Sequence, residues 1–158
     1  MKITILCIGK LKEKYLVEAC QEYAKRLGKY CKLNIVELNE VKLIKDTPSY
    51  VQQVINEESA SLLEHLNPSD YNILLSLRGQ EYDSIAFSKM LNNKMNEGHS
   101  SFCFIIGGSY GTNPELENKV NASWCLSSLT FPHQITRLLI LEQIYRSFKI
   151  LNNEVYHK

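Results

Sequence analysis

The sequence predicts an α/β protein, one domain over residues 1–158, built on a mostly parallel sheet covered by helices. Three observations predict it. Strand-like and helix-like patterns alternate along the whole chain, as in folds where each parallel strand is followed by a crossover helix. The length of 158 residues suits a single core. No internal repeat or linker-like stretch divides the chain.

Taken in order, KITILCIG (2–9) reads as the first strand. Residues 12–28 read as an amphipathic helix, with Leu16, Ala19, Tyr23 and Leu27 at helical spacing. KLNIVEL (32–38) is a second strand and 39–49 a loop. A helix over 50–66 ends before Asn67 and Pro68. YNILLSL (71–77) is a strand closed by Arg78 and Gly79. Residues 83–96 form a helix, with Ser84 near its start and Gly98 just past its end. SFCFIIG (101–107) is the fourth strand, followed by a short helix around 114–120. SWCLSSL (123–129) is the fifth strand, and Pro132 opens a last helix to about Leu151. Ligands of parallel sheets collect at the carboxyl ends of the strands, so the loops after Leu77, Gly107 and Leu129 are the places to look.

Composition is ordinarily globular, 44% hydrophobic and 22% charged. The longest apolar runs, such as 138–141, are far too short to span a bilayer. The amino terminus reads as a strand rather than a signal peptide, and a cytoplasmic protein is expected. Five scattered cysteines without a C-x-x-C pair argue against a disulfide framework or a metal site. The net charge of +1 is unevenly spread: residues 1–33 carry +5, 34–70 carry −5 and the rest +1. The basic segment, with Lys10, Lys12, Lys14, Lys25, Arg26, Lys29 and Lys32, could meet a polyanion or simply be a solvated helix face.

Gly107-Gly108-Ser109-Tyr110-Gly111 matches G-x-S-x-G, the nucleophile elbow of serine hydrolases. That elbow needs a helix to begin at the serine. Here Asn113 and Pro114 are the natural cap and first helical residue, about five residues too late. Two glycines at a strand's carboxyl end would equally let a flat ligand approach the main chain, or simply make a tight turn. No phosphate-cradling G-x-G-x-x-G or G-K-[ST] is present.

In Leu126–Ile150 the fifth strand is expected to end in Ser127, Ser128 and Thr130, small hydroxyl residues suited to hydrogen bonding a heterocycle or to ordinary turn capping. The helix that follows carries His133 and Arg137 at i, i+4, and Glu142 and Arg146 at the same spacing. Its run LLIL is apolar most of the way round, which reads as a dimerisation helix. Tyr156 and His157 offer stacking and proton-handling groups if the tail folds over a site.

Together, MKITILCIGKLKEKY, FIIGGSYG, LTFPHQITRLLILEQIYRSFKI and a terminal YHK resemble the RlmH family, small methyltransferases of the SPOUT superfamily. The resemblance implies an α/β fold with a C-terminal trefoil knot, a homodimer, and S-adenosylmethionine bound in the knot loops. It implies methylation at N3 of a pseudouridine in 23S ribosomal RNA on the assembled ribosome. By motif, the cofactor contacts would fall on Leu75, Gly107, Leu126, Ser127, Ser128, Leu129, Thr130 and Phe131. Catalytic duties would fall among His133, Arg137, Arg146, Tyr156 and His157. A histidine, His157 or His133, would take the imide proton, and Arg137 or Arg146 would hold phosphate or a uracil anion. Ser109 becomes a loop residue whose neighbouring glycines make room for the cofactor. The competing readings are a serine hydrolase using Ser109 and a non-catalytic ribosome-associated module. The acidic stretch 39–60 carries no motif of the family and receives no role.

Overall fold

The computed structural model describes residues 1–158. Five strands alternate with five helices: β1 (Lys2–Ile8), α1 (Lys14–Leu27), β2 (Lys32–Leu38), α2 (Pro48–Glu64), β3 (Tyr71–Glu81), α3 (Ser84–Asn96), β4 (Ser101–Ile106), α4 (Pro114–Glu117), β5 (Ala122–Cys125) and α5 (His133–Leu151). They form one sheet in the order β2-β1-β4-β3-β5, every pairing parallel.

Successive strand residues point to opposite faces, and both faces of the inner strands β1 and β4 are buried, so these two are apolar nearly throughout, whereas the edge strand β2 keeps exposed polar residues. Ile3, Ile5 and Cys7 of β1 join Phe102, Phe104 and Ile106 of β4 in the larger core, with residues of α1, α3 and α5. Leu6 and Ile8 join Cys103, Ile105 and Leu74 on the other side, beneath α2 and α4. Burying one such side chain contributes about 1.5–3 kcal/mol. The aromatic centre is Trp124 stacked on Phe87 at 4.0 Å between ring centroids.

Local chemistry sets the helix starts. Thr47 accepts from the Tyr50 N–H and Pro48 takes the first turn of α2, two residues before the expected start. Asp83 caps α3 through the Ala86 N–H at 2.6 Å. Asn113 caps α4 through the Leu116 N–H, with Pro114 in the first turn, as the sequence indicates.

Two strand ends differ from expectation by more than one residue. β3 does not close at Arg78-Gly79 but runs on to Glu81. Its pairing with β5 shifts register between Leu75 and Gln80, then resumes at Gln80↔Trp124 and Glu81↔Cys125. Gly79 permits this, because a Cβ there would lie 2.6 Å from main-chain atoms of Ser123 and Trp124. The glycine that reads as a terminator therefore brings two backbones together. β5 stops at Cys125, so Ser127, Ser128 and Thr130 belong to a non-regular segment rather than a strand end.

α5 packs against α1 and α3, and none of its residues is fully exposed within one chain. Arg137, Ile140, Leu141, Ile144, Ser147 and Phe148 are buried and the rest of the helix is half-buried. No helix is long and apolar enough to cross a membrane.

Candidate functional site

β5 lies at the sheet edge beside β3. The first turn of α5, by contrast, lies over β1 and β2: Arg137 bonds to Gly9 O at 2.9 Å and pairs with Glu37, while His133 Nε2 lies 3.1 Å from Glu40 Oε1. Residues 126–132 must therefore carry the chain back across the carboxyl edge, over three strand spacings of about 4.8 Å each. Under this crossing lies a cavity of about 900 Å³. Its walls come from Leu75–Arg78 of β3, from Ile106–Thr112 after β4, and from the crossing itself.

Most residues that the sequence points to are brought together there. Leu75, Gly107, Leu126, Ser127, Leu129, Thr130 and Phe131 line the cavity, and so does His133; Ser128 does not. The floor is apolar, with Leu75, Ile106 and Trp124, and Leu129 is 66% exposed at the rim. Between Leu126 and Phe131 no main-chain group is bonded to another main-chain group. The bonds made there are Leu129 N–H to Ser127 Oγ at 3.1 Å and the Cys125 thiol to Ser127 O. Free main-chain donors and acceptors over an apolar floor are the equipment for holding a flat heterocycle.

The G-x-S-x-G segment is not an elbow. Gly111 N–H bonds to Gly108 O at 3.2 Å, and Gly111 has a φ of +91°, so Ser109 and Tyr110 are the corner of a tight turn. The helix starts at Pro114, away from the serine, so no helix N-terminus builds an oxyanion hole there.

The glycines also do not make room for a cofactor in the way expected. A Cβ on Gly107 would lie 2.8 Å from Thr112 Cγ2, and one on Gly108 would overlap Glu58 Oε2. Their missing side chains accommodate the protein's own groups.

Arg137 needs correction as an anion-holding residue. It is 1% exposed, paired with Glu37 and bonded to Gly9 O, so its charge is already spent inside the protein. It ties α5 to the ends of β1 and β2; the Glu37 side chain is itself 31% exposed, and removing its carboxylate would leave the buried guanidinium short of a partner, at a cost of about 1–3 kcal/mol. His133 stays at the cavity wall. Its Nε2 approaches Glu40 off the hydrogen-bond axis, and the two form an ion pair when the ring is protonated.

Arg146, Tyr156 and His157 gather elsewhere. Arg146 bonds twice to Glu142, at 2.5 and 3.0 Å, and lies 4.7 Å from the Tyr156 ring centroid. Arg146 Nη1 is 3.4 Å from His157 Nδ1. The tail folds back onto α5 and α1, with the Tyr156 hydroxyl 3.1 Å from Glu142 Oε1 and 3.5 Å from Tyr23. It does not fold over the cavity of its own chain. Thirteen residues of helix separate His133 from Arg146, about 20 Å at 1.5 Å per residue. Burial, with the contacts to Tyr23 and Glu142, pushes the Tyr156 phenol well above its usual range, so it serves as a hydrogen-bond donor rather than a base. The Arg146 guanidinium is held in its charged form chiefly by its hydrogen bond with Glu142.

Four charged residues near the cleft receive no functional role in the sequence reading. Arg78 Nη2 meets Glu117 Oε1 at 2.5 Å on the cavity lip, where Thr112 Oγ1 also reaches Glu117. Glu40 faces His133, and Glu58 lies beneath Gly108. Of these, Glu58 alone leaves a trace in the sequence: it falls four residues from both Val54 and Leu62, where the helical spacing asks for an apolar residue. The cysteine thiols are buried and free; burial pushes Cys7 up to about 11 and Cys103 to about 12, so they are packing groups rather than nucleophiles.

An all-parallel sheet with a return crossing over its carboxyl edge, and a cleft beneath that crossing, define an α/β protein with a cleft at its strand ends, where ligands of parallel sheets collect. Comparison with known proteins makes this specific. The family described as "Predicted SPOUT methyltransferase" matches residues 1–157, and the chain belongs to that family. It is 45% identical over 159 residues to the "Ribosomal RNA large subunit methyltransferase H" of Clostridium kluyveri, covering all of both chains. The proteins of the same name from Clostridium botulinum and Ruminiclostridium cellulolyticum are likewise 45% identical over their full lengths.

Proposed function

We propose that this protein is an S-adenosylmethionine-dependent methyltransferase that modifies N3 of a pseudouridine in 23S ribosomal RNA on the assembled ribosome, working as a homodimer in the cytoplasm. The observation that carries the reading is the cleft between Gly107 and the segment 126–131, whose main chain makes no bond to other main chain. The names of its relatives, all large-subunit ribosomal RNA methyltransferases, support the choice of RNA.

The residues present fit the cofactor. A cavity of about 900 Å³ is roomy enough for a nucleoside bearing an amino-acid arm. Leu75, Leu126 and Phe131 offer apolar surface for a purine, while the peptide groups of 126–131 and the hydroxyls of Ser127 and Thr130 offer hydrogen bonds. S-adenosylmethionine, when bound, supplies a methyl group on a sulfonium, ready for in-line displacement. The chain's own contribution is chiefly positioning, through a floor fixed by Trp124 and Phe87. The imide nitrogen of a pseudouridine is protonated at neutral pH and must lose its proton. His133 is the histidine that lines the cavity, and we assign that proton to it.

We read the crossing of 126–132 as the segment that a C-terminal trefoil knot of this family would use; the return of the chain across the carboxyl edge to the contacts of His133 and Arg137 supports that reading. The 20 Å gap within one chain supports the dimer: a second copy lying antiparallel along α5 would bring the Arg146, Tyr156 and His157 cluster of its tail to this cleft. There Arg146 and His157 would meet the RNA. The basic residues of α1 complete the picture as a landing face. Two are paired with surface acids, Lys14 with Glu18 at 3.7 Å and Arg26 with Glu22 at 2.8 Å, and exposed pairs of this kind are worth little, so phosphate can take their place.

Incubation of intact ribosomes and of naked ribosomal RNA with methyl-labelled cofactor tests the proposal. Label is expected in the large-subunit RNA of ribosomes and not in naked RNA; absence of label from both contradicts it. His133→Ala should lower the turnover rate by about 10²–10⁴ while cofactor affinity changes little.

A further inference from the structure

α2 turns an apolar face to the sheet, with Val54 and Leu62 buried one turn to either side of Glu58. Glu58 itself is 4% exposed. One carboxyl oxygen, Oε1, accepts the Val41 N–H at 3.0 Å; the other, Oε2, is buried without a donor. That oxygen occupies the space that a side chain on Gly108 would need, and the same imagined Cβ would stand 2.9 Å from the carboxyl carbon. The next residue, Ser59, is fully buried and accepts the Asn113 N–H at 3.0 Å, while Asn56 Oδ1 accepts from the Asn113 side chain at 3.2 Å. One turn of α2 thus grips both ends of the segment 107–113: a carboxyl under its entry and a hydroxyl at its exit.

A leucine at position 58 would fill this apolar position without the cost of burying a polar group. It would also leave the Val41 N–H without its acceptor and the underside of Gly108 without its stop. We propose that Glu58 is a positioning residue for the cleft: it clamps the β2–α2 loop to the underside of Gly108 and so fixes the bend that forms one wall. The consequence for cofactor affinity rests on reading that cleft as the S-adenosylmethionine site; the clamp itself does not. Burial raises the Glu58 carboxyl above its ordinary range, and the nearby Glu40 charge adds to the shift, which biases the clamp toward its uncharged form.

Two measurements on the full chain test this. Amide hydrogen exchange in the ligand-free protein reads the bend directly, and calorimetric titration with S-adenosylmethionine reads its effect. Glu58→Leu should speed exchange at residues 108–111 and weaken cofactor binding about tenfold or more, with cooperative unfolding retained. Glu58→Gln, which keeps the shape and the acceptor for Val41, should restore both. Gly108→Ala should also weaken binding, and the double variant Glu58→Ala/Gly108→Ala should bind no more weakly than Glu58→Ala alone, because the overlap is gone. Unchanged exchange in Glu58→Leu, or losses that add in full in the double variant, would overturn the proposal. If Glu58→Leu does not fold, the Gly108→Ala cycle decides. A wild-type protein that shows no affinity for S-adenosylmethionine would overturn the cofactor reading, while exchange would still judge the clamp.

Discussion

The segment 107–113 and the segment 126–132 line the same cleft, yet the first is tied down along its length and the second hardly at all. Gly108 rests on Glu58, Gly111 closes a turn onto Gly108, and Asn113 is held by Ser59 and Asn56. Leu126–Phe131 makes no main-chain to main-chain bond, and Leu129 stands 66% exposed. Main-chain groups left unbonded near an apolar floor are a standing cost unless water or a ligand satisfies them. The comparison teaches a division of labour: one wall sets the shape of the cleft, and the other keeps its hydrogen-bonding capacity in reserve for whatever enters.

The largest effect should come from the floor that both walls share. Trp124→Ala removes the ring stacked on Phe87 and should destabilise the protein by about 3–5 kcal/mol in denaturant unfolding. A loss under ~1 kcal/mol would mean that the walls do not depend on this floor.

A smaller effect should separate the walls. Ser127→Ala, in the open wall, should leave stability within about 0.5 kcal/mol. It should weaken S-adenosylmethionine binding about fivefold, the worth of one hydrogen bond of about 1 kcal/mol. A stability loss without an affinity loss would reverse the assignment of roles.

The smallest effect tests the tied wall through pH. The Glu58 carboxyl is raised in the folded protein by burial, so the folded state holds its proton longer than the unfolded chain. At pH values below the ordinary carboxylate range the group is neutral in both states and contributes nothing. As pH rises above that range the unfolded chain ionises first, and wild-type stability falls relative to Glu58→Gln. The gap between the urea midpoints of the two proteins should be constant below about pH 3 and shift in favour of Glu58→Gln toward neutrality; a gap that does not change with pH would contradict a buried, proton-holding carboxyl.

Much of this was legible in the sequence, for identifiable reasons. Strands such as Lys32–Leu38 and helices such as Lys14–Leu27 announce themselves through periodicity, and the start of α4 through its Asn113 cap and Pro114, all of which are local. The walls of the cleft were legible because glycines and hydroxyl residues cluster at strand ends, and because the motifs resemble a family. The end of β5 at Cys125 was not, since Leu126–Leu129 looks locally like more strand and only the return crossing cuts it short. Gly79 read as a stop because its partner backbone, at Ser123 and Trp124, lies more than forty residues away. Arg137 read as a free cation because Glu37, a hundred residues distant, is invisible to local reasoning. The acidic stretch 39–60 stayed mute for the same cause, although it supplies Glu40 to His133 and Glu58 to Gly108. Nothing in its spacing marks these contacts beyond one acid on an apolar helix face.

The most direct test is a crystal structure of the protein with S-adenosylmethionine. The account predicts the donor in the cleft, its purine over Leu75 and Leu126 and its polar edge bonded to the main chain of 126–131, with the 107–113 wall unmoved. A donor bound elsewhere, or a cleft that stays closed by its own side chains at saturating donor, would contradict it.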